Sequence, residues 1–395
     1  MTLFEELKWR GLIKDMTDPK IEKLLNEESV TFYIGTDPTG DSLHIGHLSS
    51  FLICKRLADA GHHPIILVGG ATGLIGDPRP SSEREIISYD KVKENVAKLT
   101  KQIHKVFGDF EFVNNYDWSE GVDFITFLRD YGKFFNVNYM LAKDIVKRRL
   151  DEGITYTEFS YQIMQAMDFY ILYHTKNCIM QVAGQDQWGN ITAGVDLIRK
   201  KAGKEAYAFT MPLVTKKDGT KFGKSEGKAI WLDAKKTSPY EFYQFFVNSE
   251  DEMVIDYLKR FTFLSRDEIE ELERKHKEHP EYREAHKALA FEVTKFVHGE
   301  EEAIKAQKTS EEVFSGGMSV DMPSIEVDVS MGSNILDVLV GSELAPSKSE
   351  ARRLVEQGGI SIDGEKITDA KFNVDKKEIV IQKGKKIYKK VTLKR

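Results

Sequence analysis

The sequence predicts an α/β protein: a doubly wound parallel sheet first, an all-helical stretch after it, and a small α+β module at the end. Three observations carry that prediction. A short apolar run over 30–34 passes through a turn with Gly35, Asp37 and Pro38 into a helix from about Ile45, the pattern of a first crossover in a nucleotide-binding sheet. Pro64-Ile65-Ile66-Leu67-Val68 and Cys178-Ile179-Met180-Gln181-Val182 are further apolar runs that end near glycines, as buried parallel strands do. From Ser238-Pro239-Tyr240 the pattern turns wholly helical, and from about 333 it becomes short alternating runs with a basic balance. Residues 1–230 are thus expected to form a Rossmann-type domain, 231–315 a helical domain, 316–332 a linker and 333–395 a closing module.

The elements follow in order. Between the apolar strands, about 120–170 reads as a longer helical stretch, because Asp123-Phe124-Ile125-Thr126-Phe127-Leu128 places apolar side chains at helical spacing; an ordinary core helix has the same spacing. Ser238 followed by Pro239 and Glu241 is a helix start, since proline is tolerated at the first position and an early acid suits the dipole. The aromatic stripe Tyr240, Phe242, Tyr243, Phe245 and Phe246 is packing. Over 316–332 Gly, Ser, Pro and acids replace periodicity, which reads as a linker. In the closing module Ser347 caps a helix with Lys348, Arg352 and Glu356 on one face. Gly358-Gly359 ends that helix, and Ile360-Ser361-Ile362-Asp363-Gly364 alternates into a hairpin turn.

Composition narrows the function. A length of 395 residues with 41% hydrophobic content suits a globular chain of two or three domains. Its two cysteines, Cys54 and Cys178, lie far apart without ligand-type spacing, which argues against a zinc site or a disulfide framework and fits a reducing cytoplasm. The acidic, amphipathic start is unlike a signal peptide, and no apolar run approaches the roughly 20 residues that span a bilayer, so no membrane partner is expected. The net charge of −6 conceals an asymmetry. Residues 341–395 carry 14 Lys or Arg against 8 Asp or Glu, a balance of +6 that leaves −12 on residues 1–340. A basic module on an acidic body points to RNA phosphate as partner, although a basic tail that merely aids solubility has the same charge.

Two motifs carry chemistry. His44-Ile45-Gly46-His47 sets imidazoles at i and i+3 at a helix start, where backbone N–H groups and the helix dipole already favour anionic oxygen. Taken alone, it is also what a surface or core histidine pair looks like. Lys221-Phe222-Gly223-Lys224-Ser225 follows the polar loop Thr215-Lys216-Lys217-Asp218-Gly219. Lysines three apart on such a loop suit transient neutralisation of a phosphate chain, or simply a solvated surface. Together, in this order, the two motifs resemble the paired signatures of class I aminoacyl-tRNA synthetases. Thr31-Phe32-Tyr33-Ile34-Gly35, Gly69-Gly70-Ala71-Thr72-Gly73-Leu74-Ile75-Gly76-Asp77-Pro78 and Asn114-Asn115-Tyr116-Asp117-Trp118 resemble the tyrosyl-tRNA synthetase family in its bacterial form. So do Glu158-Phe159-Ser160-Tyr161-Gln162-Ile163-Met164-Gln165-Ala166-Met167-Asp168 and Gly184-Gln185-Asp186-Gln187-Trp188-Gly189-Asn190, and the likeness runs nearly from end to end.

That resemblance implies ATP-dependent activation of L-tyrosine to tyrosyl-adenylate, then transfer to the 3′ end of tRNA(Tyr). It implies catalytic roles for His44, His47, Thr39, Lys221, Lys224 and Ser225 around the triphosphate. It assigns Tyr33 and Asp168 to the substrate phenol, Asp77, Tyr161 and Gln165 to its ammonium, and Asn115 and Gln187 to the tyrosine site. Gly35, Asp37, Gly184 and Asp186 join the histidines and Lys224 around ATP, with Asp186 on the ribose hydroxyls. Tyr161, Gln165 and Asp168 lie at i, i+4 and i+7, one helix face, where Gln and Asp are costly unless paired. The inserted segment at about 120–160 is implied to be a homodimer face, and the closing module an S4-like RNA binder using Lys348, Arg352 and Arg353. No permanent cofactor or protein-held metal is implied; Mg2+ arrives with ATP.

Two departures stand out. Ile34 replaces a small polar residue that in some relatives touches the ribose, so ATP affinity is expected to differ modestly. The lysine some relatives carry after Gly76-Asp77-Pro78 is missing, and Arg79 or Arg84 is expected to supply its charge. Tryptophanyl-tRNA synthetases share both signatures, but Asp168 with Tyr33 argues for a phenol. A nucleotidylyltransferase, or an RNA-binding factor on a synthetase body, fits the full set of motifs less well.

Overall fold

The structure is a computed structural model that describes residues 1–78, 87–151, 153–225, 228–314, 324–329, 333–384 and 387–394. It divides into two compact units, Met1–Asp233 with Glu252–Glu270, and Ala234–Asp251 with Glu271–Arg395. The chain therefore leaves the first unit near the expected boundary at 230, returns for about one helix, and leaves again.

The first unit is built on five parallel strands, β1 (Thr31–Thr36), β2 (His63–Val68), β3 (Glu111–Asn114), β4 (Met180–Gly184) and β5 (Tyr207–Met211), in the order β3-β2-β1-β4-β5. This is the doubly wound Rossmann-like arrangement. Its strands are Val-, Ile- and Met-rich because helices cover both faces. Tyr33, Ile65 and Leu67 pack against Phe169 and Leu172 of the helix Tyr156–Lys176 and Ile198 of the helix Trp188–Ala202. The chain moves outward from β1 through β2 to β3, then returns to β4 and β5 on the other side. The carboxyl ends of β1 and β4 thus frame the switch-point crevice where open sheets of this kind bind ligands.

The long helix expected over about 120–170 is broken. Phe124–Thr126 is one turn, followed by a π-turn at Phe127–Tyr131, a 3-10 turn at Gly132–Phe134, short helices at Val137–Leu141 and Asp144–Arg149, and only then Tyr156–Lys176. Phe124 and Ile125 are 65% and 64% exposed, so their helical spacing reflects a surface and not a core stripe.

In the second unit, Ser238 caps the helix Pro239–Val247 with a full capping box to Glu241 and proline at its start. That helix packs with Glu284–His298 and Glu300–Phe314. The closing sheet orders β10-β9-β11-β12-β8, from β8 (Ser324–Asp328), β9 (Ile360–Ile362), β10 (Glu365–Ile367), β11 (Glu378–Lys383) and β12 (Ile387–Lys394). Asp363 and Gly364 both take positive φ (51° and 86°), the geometry a two-residue hairpin requires. The linker expected over 316–332 contains β8, which pairs parallel to β12. The alternation Ser324-Ile325-Glu326-Val327-Asp328, with Val327 buried and Ile325 against the same core, is a strand pattern short enough to pass as polar loop.

Candidate active site

One cavity of about 380 Å³ lies at the carboxyl end of the first sheet. Its lining includes Tyr33, Gly35, Asp37 and Thr39 from the end of β1, and Gly184, Asp186 and Gln187 from the end of β4. The remaining expected residues in its wall are His44, His47, Asp77, Tyr161, Gln165, Asp168 and Lys221. Residues separated by almost two hundred positions thus meet because the sheet order places their strand ends side by side.

At the closed end Tyr33 and Asp168 are 1% and 2% exposed. The Tyr33 hydroxyl has no hydrogen-bond partner within the protein, an expensive condition for a buried polar group and the mark of a site shaped for a polar ligand. The Asp168 carboxylate accepts from Trp118 Nε1–H (2.8 Å) and Asn115 Nδ2–H (3.0 Å). Burial nevertheless raises Asp168 from the ordinary 3.8 to about 7, those two donors pulling against it. Burial, then the nearby Asp168 charge, lifts Tyr33 well above the usual phenol range. Asn115 lies behind the cavity wall, fully buried: its Oδ1 accepts from Ala71 N–H (2.7 Å) and its amide nitrogen donates to Thr72 Oγ1 (2.9 Å) as well as to Asp168. Expected in the tyrosine site itself, it sits where it can aim Asp168 instead.

The helix Tyr156–Lys176 carries Tyr161, Gln165 and Asp168 on one cavity-facing stripe. Tyr161 donates its hydroxyl to Asp37 Oδ2 (2.9 Å), and Thr72 donates to Asp37 Oδ1 (2.8 Å). Asp77, expected with Tyr161 and Gln165 around the ammonium, lines the same cavity and accepts from Gln187 Nε2–H (2.7 Å) and Asn190 Nδ2–H (3.1 Å). Gln165 Oε1 is buried without a partner, and so is Gln181 Oε1 from the middle of β4. Three carboxylates, Asp37, Asp77 and Asp168, therefore share this end of the cavity, an arrangement that favours a cationic group among them.

The open end is built differently. His44 is the N-cap of the helix Ile45–Asp59: its Nδ1 accepts from Gly46 N–H (3.0 Å), while His47 Nδ1 accepts from His44 N–H (3.2 Å). Since both Nδ1 atoms accept, both rings carry their proton on Nε2, and each presents a neutral donor. Burial, then the neighbouring His44, lowers His47 to about 3, so it stays neutral near pH 7. The ring centroids lie 4.0 Å apart. A Cβ on Gly46 would stand 2.8 Å from the His44 ring, so only glycine fits between the two histidines.

Lys221 enters from a hairpin in which Thr215 pairs with Lys221. The Gly223 carbonyl accepts from Ile230 N–H (3.0 Å), whose own carbonyl accepts from Ile45 N–H (3.0 Å), joining the lysine loop to the first turn of the histidine helix. Gly223 has φ +104°, and an added Cβ would press on Ile45 at 3.3 Å. Lys224 and Ser225 form the two-residue β6, which pairs antiparallel with β7 (Lys228–Ala229), but the side chains of Lys224 and Ser225 lie outside the described set, as do Arg79 and Arg84 entirely. In the second unit Lys348, Arg352 and Arg353 are exposed, with Lys348 on Asp337 (2.6 Å) and Arg353 on Glu350 (2.7 Å).

Sequence reasoning passed over Thr72, Trp118, Gln181 and Asn190. A glutamine inside the apolar run at 178–182 was a usable signal; the others are polar residues in turns whose partners only folding supplies.

A family model for class I tRNA synthetases (W and Y) matches residues 25–315, and one for a tyrosine–tRNA ligase C-terminal domain matches 314–391. A Bacillus cereus protein (strain ATCC 10987 / NRS 248) named tyrosine–tRNA ligase 2 is 49% identical over 419 aligned positions, covering 100% of both chains. A Listeria welshimeri tyrosine–tRNA ligase is 50% identical, with 98% of this chain and 99% of its own covered. Among solved structures, a C-terminally truncated mitochondrial tyrosyl-tRNA synthetase of Aspergillus nidulans aligns with a TM-score of 0.71 at 31% identity, over 79% of this chain and 94% of its own. A Plasmodium falciparum tryptophanyl-tRNA synthetase aligns at 15% identity with a TM-score of 0.56, over 77% of this chain and 84% of its own, a likeness that concerns the fold alone.

Proposed function

We infer that this chain, which belongs to the class I tRNA synthetases for tryptophan and tyrosine, is a tyrosine–tRNA ligase. It joins L-tyrosine to ATP as tyrosyl-adenylate and passes the tyrosyl group to the 3′ end of tRNA(Tyr). The observation that carries the choice of amino acid is the closed end of the cavity, where a buried Tyr33 hydroxyl without a protein partner stands with the carboxylate of Asp168.

The substrate phenol hydroxyl donates to Asp168 and accepts from Tyr33. Phenylalanine would leave both groups unmet, at about 1–3 kcal/mol each. The tyrosine ammonium sits among Asp37, Asp77, Tyr161 and Gln165, with Gln187 holding Asp77 in place. In activation an oxygen of the tyrosine carboxylate attacks the α-phosphorus, and the bond from that phosphorus to the bridging oxygen of the β-phosphate breaks. The electron pair leaves with pyrophosphate. Thr39, His44 and His47 meet the triphosphate as neutral donors, and Lys221, Lys224 and Ser225 close over the departing pyrophosphate. None of these groups forms a covalent bond; the rate comes from position and from donors aimed at growing charge. Gly35 and Gly184 let the nucleotide approach the strand ends, and Asp186 accepts from the ribose hydroxyls. Mg2+ comes and goes with ATP as part of the substrate. In the second step a terminal ribose hydroxyl of tRNA attacks the tyrosyl carbonyl and AMP leaves.

The closing module holds tRNA phosphate through Lys348, Arg352 and Arg353, supported by the +6 balance of residues 341–395. The active form is a homodimer paired through the segment 124–156, a reading supported by Phe124, Ile125, Val137, Tyr139 and Tyr156, large apolar side chains that are all at least half exposed. The enzyme works in the cytoplasm, a reading supported by two buried free thiols, and among the described residues no helix is long and apolar enough to cross a membrane. ATP–pyrophosphate exchange with tyrosine, tryptophan and phenylalanine tests the assignment. Exchange with tyrosine alone is expected; exchange with tryptophan, or with none of the three in folded protein, would overturn it.

A further inference from the structure

We propose that Tyr257 is a positioning residue for the activation step, anchoring the hairpin that carries Lys221. The proposal rests on the reading of Lys221 given above and adds a residue that no signature motif contains.

The hairpin over 214–222 is a small, exposed structure that would be mobile by itself. Phe222 N–H donates to the Val214 carbonyl (3.0 Å), Thr215 pairs with Lys221, and Lys216 N–H donates to the Thr220 carbonyl (2.8 Å). Two-stranded hairpins of this size are marginal without something to pack on. Tyr257, 1% exposed, supplies it from a distant part of the chain. Its ring lies 4.2 Å from that of Phe222, and its hydroxyl donates to the Thr215 carbonyl at 2.9 Å. One side chain thus holds both strands, each beside the Thr215–Lys221 pair.

The platform under Tyr257 is itself tied down. Tyr257 belongs to the helix Val254–Phe261, in the segment Glu252–Glu270 that returns to the first unit, and Phe261 adds a second ring 5.6 Å from Phe222. At the end of this helix the buried Arg10 donates to the carbonyls of Lys259 (2.9 Å), Thr262 (3.3 Å) and Leu264 (2.6 Å), and Arg56 also donates to Thr262. A buried guanidinium group is costly unless its donors are used, and those of Arg10 are spent on fixing a helix end. Beyond Lys221, Gly223 is bound through Ile230 to Ile45. Lys221 is therefore held between two anchors, Tyr257 on one side and the histidine helix on the other, while its own side chain stays exposed at the cavity rim.

Such an anchor matters only while pyrophosphate is present. It should govern activation and leave alone the transfer of an adenylate already formed. The test compares Tyr257→Phe, Tyr257→Leu and Lys221→Ala in single-turnover activation, tyrosine KM, and transfer to tRNA from preformed tyrosyl-adenylate. The expected activation rates fall about 3-fold for Tyr257→Phe and about 30-fold for Tyr257→Leu, with tyrosine KM and transfer unchanged. Tyr257→Phe keeps the ring and so keeps the question open to answer if Tyr257→Leu does not fold. Slow activation in Lys221→Ala with wild-type rates in the Tyr257 variants overturns the anchor alone. Equal slowing of activation and transfer, reporting a general structural role, overturns it too. A wild-type rate in Lys221→Ala overturns the reading beneath it and the anchor with it.

Discussion

At its closed end the cavity is lined by the buried Tyr33 and Asp168, with Asn115 and Trp118 behind them donating to the Asp168 carboxylate. At its open end the working groups are mostly buried histidines at a helix start and a lysine on an exposed hairpin. The difference follows from what each end must do. Recognition of a hydroxyl needs a dry pocket in which a missing partner is costly, whereas a leaving pyrophosphate needs donors that meet charge briefly and then release it. The electrostatics diverge accordingly. Burial at the closed end pushes a carboxyl up to about 7, and burial at the open end pushes an imidazole down to about 3, so at each end burial favours the neutral form of that group.

Removing Asp168 should do the most damage. Asp168→Ala leaves Tyr33, Asn115 and Trp118 facing the phenol without the carboxylate, and kcat/KM for tyrosine should fall on the order of a thousandfold, discrimination against phenylalanine falling with it. A loss confined to kcat, with tyrosine binding intact, would erase the distinction between the two ends. His47→Ala should cost about a hundredfold in activation rate and leave tyrosine KM unchanged, as expected of a group that acts only on growing phosphate charge.

The ends should also differ in how they respond to pH. Asp168 has a folded pKa above its unfolded 3.8, so the folded state holds its proton longer, and stability falls as pH rises from about 4 to about 7. His47 has a folded pKa below its unfolded 6.5, so stability falls as pH drops from 6.5 towards about 3. Thermal melts of the free protein against pH should therefore lose the Asp168 contribution that falls from about pH 4 to about 7 in Asp168→Asn, and soften the decline below pH 6.5 in a His47 variant. Identical profiles for both variants and the wild type would mean the two environments are not as unlike as their geometry indicates. The smallest effect belongs to the closing module. Arg352→Ala should weaken tRNA binding only a few-fold and reduce the salt slope by about one, with pyrophosphate exchange unaffected.

Much of this was legible in the sequence, for uneven reasons. Tyr33, His44, His47 and Asp168 sit in short motifs, and the strand ends that bring them together follow from the order of apolar runs and glycines. Trp118 was visible only as a letter in a motif, because its role depends on a hydrogen bond across 50 positions. Asn115 was placed in the site when the fold puts it one layer behind. The segment after Asp123 had helical spacing, yet it breaks into π and 3-10 turns: Tyr131, Phe134 and Phe135 turn towards Ala166, Ala193 and Leu197, while Phe124 and Ile125 stay exposed, so no single helical stripe faces a core. β8 was taken for linker because five alternating residues are a weak signal until a partner strand pairs with them. Tyr257 was wholly hidden, since its partners Thr215 and Phe222 lie on the far side of an excursion into the other unit.

That excursion has a practical consequence for anyone who would cut the gene. A stop after Asp233 looks like a clean domain boundary, and it keeps every signature residue. The resulting fragment would lack Tyr257, Phe261 and the carbonyls that Arg10 grips, leaving the lysine hairpin with only one of its two anchors and the Arg10 guanidinium with Glu6 in place of its three carbonyls. The helix Arg266–Glu278 runs straight through the end of the returning segment, so the shortest fragment that preserves the catalytic unit intact must extend past Glu278.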